Sequence, residues 1–347
     1  MTVSDESPIV TVVIAARPDQ EEVKAVKAAQ ALHYQKEKLE IIVARGKQPS
    51  VQRNAAVRKA KGEFIYFLDD DSVADPDNLQ RAIERFADDE VQMIGGPNLC
   101  PIDAPRIEKE FATVMANSLA FGPSRARYAP IGHLRESGEK ELILCNLIAR
   151  KSAFLEAGGF DEALYPNEEN ALMDELVKRG GKLLYDPEFV AERRPRPDMP
   201  SFSKMLKNYG RGRAEQFRLH PTSGSALNFA PPALVIYSVA VAPFVLMFSM
   251  FLLLTADRID LFLLLNSPLP IYFLLTFLSA VQTRRFPTGR NKADDSSFCI
   301  SILRMQRLIL YCHFGYGEGF LRGMKTTLKP IGDRPEVEVE LEVAQSA

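Results

Sequence analysis

Short apolar runs alternate with amphipathic stretches along the first 190 residues of the chain. The predicted strands cover 9–16, 39–44, 63–69, 91–96 and 182–190, and the predicted helices cover 19–34, 50–62, 75–89 and 167–181. Residues 142–160 are typical of a strand followed by a helix. This alternation predicts an α/β fold, with a mostly parallel twisted sheet and helices on both faces. Ligands of such sheets bind beyond the carboxyl ends of the strands.

Some boundaries are predicted from capping chemistry. Asp75 is expected to cap the helix at 75–89, with Pro76 at its first position. Asn167 is expected to cap the helix at 167–181. Residues 97–142 show no clear periodicity and contain several prolines, which favours a long functional or mobile connection over a simple linker.

Two uncharged apolar segments follow, at 231–255 and 261–282. Each is close to the roughly 20 residues that cross a bilayer core, which predicts two membrane-spanning helices rather than two buried core helices. Asn266, Pro268 and Pro270 predict a kink in the second segment. The flanks are basic, with Lys204, Lys207, Arg211, Arg213 and Arg218 before the pair and Arg284, Arg285, Arg290 and Lys292 after it. Both flanks are therefore expected on the cytoplasmic side of a hairpin.

The predicted organisation has five parts. They are a catalytic domain at 1–203, a basic juxtamembrane segment at 204–228, a transmembrane hairpin at 229–283, a third helix at 296–326 and an acidic tail at 327–347. The third helix is either a helix lying in the membrane interface or a third span. The tail, which alternates acidic and apolar residues, is either solvated or an edge strand. The start of the chain shows no signal peptide, so we expect a multi-pass protein of the inner or plasma membrane with a cytoplasmic catalytic domain.

Charge and cysteine content narrow the function classes. The 347 residues include 43 basic and 45 acidic residues, a balance that argues against a nucleic-acid-binding protein. Cys100, Cys145, Cys299 and Cys312 are far apart, which excludes paired zinc ligands and predicts free thiols in a reducing compartment.

The stretch FIYFLDDDS at 64–72 ends an apolar run in three carboxylates, Asp69, Asp70 and Asp71. Like charges this close call for a counter-ion. Mg²⁺ and Mn²⁺ prefer oxygen ligands and commonly share them with substrate phosphates, so the cluster predicts a divalent metal with a nucleotide diphosphate. The alternative is an acidic loop that caps the next helix.

Several motifs then occur in a characteristic order. They are VTVVIAARPD, GKQPSVQRNAAVRKAKGEFIYFLDDDS, MIGGPN, CNLIARKSAFLEAGGFDE and YPNEENALMDELVKRGGKLLYDPE, followed by YGRGRA and FGYGEGFLRG. Over roughly residues 8–325 the chain resembles glycosyltransferase family 2, the inverting nucleotide-sugar transferases with a GT-A fold. The last two motifs resemble the membrane-flanking parts of members with C-terminal transmembrane helices.

The resemblance implies roles for individual residues. Asp69 and Asp71 match the family's Asp-x-Asp ligands of Mn²⁺ or Mg²⁺, with Asp71 the direct ligand, and Asp70 is expected to face the ribose or the sugar. The nucleotide-sugar donor is expected beside Ala15, Arg17, Asp19, Arg45 and Arg53.

The acceptor side is expected to hold the catalytic base. Glu168 and Glu169 match the family's acidic pair, whose second member removes the acceptor's proton, so Glu169 is the predicted base. Alternatively, both carboxylates simply favour a helix N-terminus. Asn146 contacts the acceptor or has a structural role in a turn. Arg211 and Arg213 bind the acceptor or its phosphate, or they anchor the chain at the membrane surface.

The chain also departs from the family pattern. Arg45 stands where many members carry an acidic pair that binds the nucleobase of the donor. Arg193 or Arg194 replaces the usual histidine of the family. The acidic pair is Glu-Glu rather than Glu-Asp. Tryptophan is absent, so the Gln-x-x-Arg-Trp motif of processive synthases cannot exist, which favours transfer of one sugar per encounter.

These inferences predict a membrane-anchored, metal-dependent, inverting glycosyltransferase of the hexosyl-transferring type. Its donor is a nucleotide-diphosphate sugar and its acceptor a hydroxyl of a lipid-linked glycan or polysaccharide. Two rivals share the sequence features. A nucleotidyltransferase needs a loop rich in Gly and Arg after the first strand, which AARPDQ does not supply. A membrane-tethered module that binds nucleotide sugars without turnover is the second.

Overall fold

The computed structural model describes residues 7–164, 166–221, 223–256, 258–285, 300–328 and 338–347. It divides the chain into two compact units. The α/β unit comprises Met1–Ala112, Pro123–Pro195 and Lys329–Ala347, and the helical unit comprises Thr113–Gly122 and Arg196–Leu328. Arg290, Lys292 and Cys299, together with the start of the predicted third helix at 296–299, lie outside the described residues. The other three cysteines are free thiols, as predicted.

The described residues form eleven strands, all in the α/β unit. They are β1 (Val10–Ala16), β2 (Leu39–Arg45), β3 (Phe64–Asp69), β4 (Val73–Ala74), β5 (Val91–Gly95), β6 (Asn98–Leu99), β7 (Arg135–Glu136), β8 (Asn146–Arg150), β9 (Lys182–Tyr185), β10 (Ala191–Glu192) and β11 (Glu340–Gln345).

Thirteen α-helices complete the described chain. The first seven are α1 (Lys24–Gln30), α2 (Pro49–Lys59), α3 (Asn78–Arg85), α4 (Arg106–Met115), α5 (Ser118–Phe121), α6 (Lys151–Glu156) and α7 (Glu168–Lys178). The others are α8 (Met199–Leu219), α9 (Ala230–Ile236), α10 (Ala242–Ala256), α11 (Ile259–Asn266), α12 (Pro268–Arg285) and α13 (Ile302–Gly323).

The main sheet has eight strands in the order β11-β2-β1-β3-β8-β5-β9-β7. The pairs β1–β2, β1–β3 and β5–β9 are parallel, and β8 runs antiparallel to β3 and β5. Five strands therefore point one way, with β7, β8 and β11 opposed, and the predicted α/β fold with a mostly parallel sheet is confirmed. The register pairs Ala16 with Arg45 and Ala15 with Asp69, so β1, β2 and β3 end side by side.

Both faces of this sheet are buried. Phe64, Tyr66 and Leu68 of β3 pack in the core on one face, while Ile65 and Phe67 pack in the core on the other. Burial on both faces is why the strands appear in the sequence as continuous apolar runs rather than as alternating ones.

A second, three-stranded sheet lies at the carboxyl ends of the main strands, in the order β4-β10-β6. It pairs Glu192 of β10 with Val73 of β4 and with Leu99 of β6. This pairing sets the chain after β10 beside the turn that holds Asp70 and Asp71.

The structure corrects one predicted helix start, one predicted side-chain cap and one predicted connection. The helix predicted from Asp75 begins at Asn78, because the Asp75 carboxylate accepts from the backbone N–H of Asp77 in a turn. Asn167 does precede α7, but its side chain accepts from Asn170 Nδ2 instead of capping the helix. The stretch 97–142 contains a regular helix, α4, whose periodicity is obscured because Glu108 and Glu110 are buried together with its apolar residues.

The acidic tail proves to be an edge strand. Residues of β11 pair antiparallel with β2, with Glu340 opposite Arg45 and Val343 opposite Ile42. Of the two alternatives for the tail, the edge strand is therefore the one observed for its described part.

In the helical unit, one described helix is long and apolar enough to cross a membrane. It runs over Ala226–Ala256 and contains α9, a π-helical turn at Tyr237–Val241 and α10. The second predicted span is bent by 47° between α11 and α12, at the predicted kink, and counts as a span only if the bent pair is one segment. The multi-pass arrangement and its cytoplasmic orientation stay predictions.

Helices α8 and α13 pack closely through glycines of the motifs YGRGRA and FGYGEGFLRG. A Cβ atom on Gly210 would lie 2.7 Å from the backbone nitrogen of Phe320, and one on Gly319 would lie 2.7 Å from the backbone of Lys207. Lys207 and Glu318 also form an ion pair across this contact at 2.9 Å. The glycines of these two motifs thus have a packing role. α13 is not among the described helices that are long and apolar enough to span a membrane.

Candidate active site

The three aspartates of FIYFLDDDS follow the carboxyl end of β3. Asp69 is the last residue of that strand, and the backbone N–H of Ser72 closes a turn by donating to its carbonyl oxygen. The turn holds Asp70 and Asp71, and the carbonyl oxygen of Asp70 accepts from the backbone N–H of Ala25 in the first turn of α1. The cluster therefore lies where parallel α/β sheets bind their ligands.

Arg193 bridges the two outer aspartates. Its Nε donates to Asp71 Oδ1 at 2.7 Å, and its Nη1 lies 2.9 Å from Asp69 Oδ2. The backbone N–H of Arg193 donates to the carbonyl oxygen of Leu99, so the residue is fixed directly after β10. Of the two arginines that the sequence offered in place of the family's histidine, Arg193 is the one at the carboxylates. Arg194 points elsewhere and lies 3.5 Å from Glu108.

Arg53 joins the aspartate cluster to the acidic pair. Its guanidinium is buried; Nη2 donates to Asp69 Oδ1 at 2.8 Å, and Nη1 lies 3.4 Å from Glu168 Oε1. Each carboxylate oxygen of Asp69 thus faces an arginine. The sequence placed Arg53 near the nucleotide but gave no sign of this bridge, because the contact with Glu168 joins residues 115 positions apart.

Glu168 and Glu169 occupy the first turn of α7 but differ in environment. Only 3% of the Glu168 side chain is exposed, and its Oε2 has no hydrogen-bond partner among the described residues. Burial, and then the neighbouring Glu169 carboxylate, raises the pKa of Glu168 to about 8, although Arg53 acts in the opposite direction. Glu168 is therefore mostly protonated at neutral pH, whereas Glu169 is partly exposed.

Substituting Glu168 by Gln is expected to flatten the dependence of stability on pH. Folded Glu168 keeps its proton up to about pH 8, but the unfolded residue loses it near its ordinary pKa of 4.5. Between these values the free energy of unfolding falls as pH rises, by up to about 1.4 kcal/mol per pH unit from this group. Glutamine cannot titrate, so the variant lacks this component.

Denaturant unfolding of wild type and Glu168→Gln, measured from about pH 5 to pH 8, checks this expectation. Glu175→Gln, a partly exposed site on the same helix, is the control and keeps the wild-type slope. Equal slopes for wild type and Glu168→Gln would contradict the protonated state assigned to Glu168.

The predicted nucleotide-binding residues gather at the ends of β1 and β2. Ala15 pairs with Asp69 in the sheet register, and Arg17 and Asp19 are exposed in the turn after β1. Arg45 contacts Glu342 of β11 at 3.0 Å and donates from Nη1 to the carbonyl oxygen of Gln20. Glu342 supplies an acidic group near the position where the family's acidic pair is missing, which the motif comparison could not find because it comes from the tail.

The structure also describes the three residues that were predicted to bind the acceptor. Asn146 is fully buried at the start of β8, where it accepts from Tyr66 Oη at 2.7 Å and donates to the carbonyl oxygen of Phe189 at 2.6 Å. These contacts favour its structural alternative. Arg211 and Arg213 belong to α8 in the helical unit, where Arg211 lies 3.9 Å from Glu215.

Asp69 and Asp71 are the predicted ligands of a divalent metal. Asp69 and Asp71 have the right chemistry for Mg²⁺ or Mn²⁺, but each already directs an oxygen at Arg193. The described residues contain no group of three or more His, Cys, Asp or Glu side chains placed to hold a metal ion. The arrangement as it stands does not fit the ion, and the predicted metal stays a prediction.

Known proteins resemble the chain in part. Among curated relatives, the pre-mycofactocin glycosyltransferase of Mycobacterium tuberculosis is 24% identical over 189 residues, which cover 54% of this chain and 39% of that protein. The succinoglycan biosynthesis protein ExoA of Rhizobium meliloti is 30% identical over 113 residues, covering 33% of this chain and 32% of that protein. The chain thus matches less than half the length of either relative.

Solved structures resemble it more distantly. The mannosyltransferase PcManGT of Pyrobaculum calidifontis, in complex with GDP-Man and Mn²⁺, is 15% identical, with a TM-score of 0.49 over 93% of this chain and 91% of that one. Residues 1–349 of S. aureus TarS in complex with UDP-GlcNAc are 11% identical, with a TM-score of 0.41 over 94% of this chain and 98% of that one.

The family comparison falls on the strand ends described above. Residues 16–133 match the model of "Glycosyl transferase family 2", a range that includes Arg17, Arg53 and the three aspartates. The predicted resemblance to this family is confirmed over these residues, and the predicted enzyme class, a glycosyltransferase, is that of the relative in Mycobacterium tuberculosis. Over these residues the chain is similar to glycosyltransferase family 2.

Proposed function

We propose that the chain transfers a sugar from a nucleotide-diphosphate sugar to an acceptor hydroxyl with inversion at the anomeric carbon. The observation that carries this proposal is the arrangement at the end of β3, where Arg53 and Arg193 flank carboxylates beside the acidic start of α7. Cationic groups at this edge suit a diphosphate, and a carboxylate nearby suits the removal of a proton.

The proposed reaction is a single displacement. The acceptor oxygen forms a bond to the anomeric carbon as the bond from that carbon to the phosphate oxygen breaks, and the electron pair leaves with the nucleotide diphosphate. Glu169 takes the proton of the acceptor hydroxyl. Asp70, Arg17, Asp19 and Ala15 are proposed to contact the donor, because they belong to the same strand ends.

The proposed acceptor is a lipid-linked glycan or a polysaccharide at a membrane, where the chain is proposed to be anchored with its α/β unit on the cytoplasmic side. The apolar helix Ala226–Ala256 supports the anchor. A groove of about 750 Å³ in the helical unit supports a lipid-linked acceptor. Its lining includes Leu303, Arg304, Arg307, Leu308, Tyr311 and Phe314. Apolar walls with two guanidinium groups suit an amphiphile with an anionic head.

The absence of tryptophan from the sequence supports transfer of one sugar per encounter rather than processive synthesis. We propose no preference among nucleobases, because Arg45, which is paired with Glu342, stands in place of the family's acidic pair.

The test uses the full chain in detergent with a panel of radiolabelled UDP- and GDP-sugars and a bacterial membrane lipid extract as acceptor. We expect one donor to raise the melting temperature and its label to enter the lipid or polysaccharide fraction, with release of the nucleotide diphosphate. Nucleotide triphosphates that yield a nucleotidylated product and pyrophosphate would support the rival nucleotidyltransferase. Donor binding without release of nucleotide would support the non-catalytic module. Either result contradicts the proposal.

A further inference from the structure

The guanidinium of Arg193 holds the position between Asp69 and Asp71 that a bridging cation would take. We propose that Arg193 is the counter-ion of this aspartate pair and that its remaining N–H donors, rather than a divalent metal, bind the diphosphate of the donor. This inference rests on the proposed function and adds to it the group that stabilises the leaving phosphate.

The charges of Asp69 and Asp71 are already matched by arginines. Asp69 and Asp71 provide two negative charges, and Arg193 and Arg53 provide two positive charges within 2.9 Å of them. A divalent ion is held by protein carboxylates when their charge is otherwise uncompensated. Here an incoming ion has to break both contacts of Arg193 and then lie beside that displaced cation.

Arg193 is also fixed in place. β10 is paired with β4 and with β6, and the backbone N–H of Arg193 continues the contact to Leu99 at 2.9 Å. Its guanidinium is held at two points, and 25% of its side chain is exposed. A side chain positioned from both ends keeps its charge at the strand edge without further ordering when the donor binds.

The remaining chemistry of the guanidinium suits a diphosphate. Arginine has five N–H donors, and the contacts with Asp69 and Asp71 use one on Nε and one on Nη1, which leaves three for other acceptors. Arginine binds phosphate oxygens in a fork and stays protonated throughout the pH range of the reaction. As the bond between the anomeric carbon and the phosphate oxygen breaks, the electron pair gained by that oxygen is met by these donors. The acceptor proton goes to Glu169, so no proton is required from Arg193.

The test measures nucleotide binding, which is independent of turnover. Binding of UDP and GDP to the full chain in detergent is followed by titration calorimetry, once with EDTA and once with millimolar Mn²⁺. Wild type is expected to bind in EDTA, with an affinity that Mn²⁺ changes by less than about threefold. Arg193→Gln is expected to bind at least about tenfold more weakly in EDTA, the effect of losing a charged hydrogen bond. Mn²⁺ is expected to restore binding to the variant, because the freed aspartates can then hold the ion.

Arg194→Gln is the matched control, since this neighbouring arginine contacts Glu108 and is expected to keep the wild-type profile. Manganese binding without nucleotide, measured by electron paramagnetic resonance, is expected for Arg193→Gln and not for wild type. The wild-type arm alone decides the matter if the variant does not fold. Wild-type binding that EDTA abolishes and Mn²⁺ restores would overturn the role of Arg193 only, as would unchanged binding by Arg193→Gln in EDTA. Absence of any nucleotide binding in both conditions would overturn the proposed function as well.

Discussion

Substituting Glu169 by Gln is expected to slow sugar transfer by about 10²- to 10⁴-fold, the range for loss of a general base. Glutamine has nearly the same shape as glutamate but cannot accept the proton of the acceptor hydroxyl. Donor affinity is expected to stay within about twofold of wild type, because the base acts on the acceptor and not on the diphosphate. Turnover is measured as release of nucleotide diphosphate, and donor binding by calorimetry.

The control for this substitution is Glu175→Gln, two turns further along α7, where the carboxylate pairs with Arg179 on the surface. It is expected to keep wild-type turnover. Unchanged turnover in Glu169→Gln would refute the assignment of the base. A large loss in Glu168→Gln with none in Glu169→Gln would exchange the roles of the two residues and would require Glu168 to lose its proton at working pH.

The second large effect is expected from Gly210→Ala in α8. The added methyl group would meet the backbone of α13 at Tyr316 and Phe320, and backbone atoms cannot turn aside as a flexible side chain can. Overpacking a close contact typically costs about 1–3 kcal/mol, and we expect the upper end of that range because the two helices must separate. The measurement is the midpoint of thermal unfolding in detergent.

Gly315→Ala in α13 provides the comparison. This glycine is also buried, but its added methyl group would lie 3.4 Å from Leu206 Cβ, an ordinary contact. In a helix, alanine is favoured over glycine by up to about 1 kcal/mol, so this variant is expected to be as stable as wild type or more stable. Equal loss of stability in both variants would show that the close contact at Gly210 is not what limits the size of the residue there.

The strands of the main sheet were predictable where a continuous apolar run in the sequence marks a buried strand. β1, β2 and β3 are continuous apolar runs, and their parallel pairing follows from the helices between them. The start of α3 was not predictable from Asp75 and Pro76, because Asp75 belongs to a turn before the helix, where its backbone N–H also donates to the carbonyl oxygen of Val190. Capping preferences depend on neighbouring residues and do not predict a contact with a residue so distant in sequence.

In the candidate site, too, local features were predictable from the sequence and contacts between distant residues were not. The motif placed Asp69, Asp71 and the Glu168–Glu169 pair on the right elements, since each follows directly from a strand end or a helix start. The contact of Arg193 with these aspartates could not be inferred from the sequence. Arg193 is 122 positions from Asp71, and the three-stranded sheet brings the two residues together. The residues around an acidic cluster do not reveal a cation that a distant part of the chain supplies.

The position of β11 in the sequence affects the order in which the main sheet can form during synthesis. During synthesis β2 leaves the ribosome long before its neighbour, since Arg45 and its partner Glu342 are separated by 297 residues. Until then the outer side of β2 presents unpaired backbone groups, the kind of open margin along which nascent chains associate with one another. β11 can therefore pair with β2 only after the whole helical unit has been made.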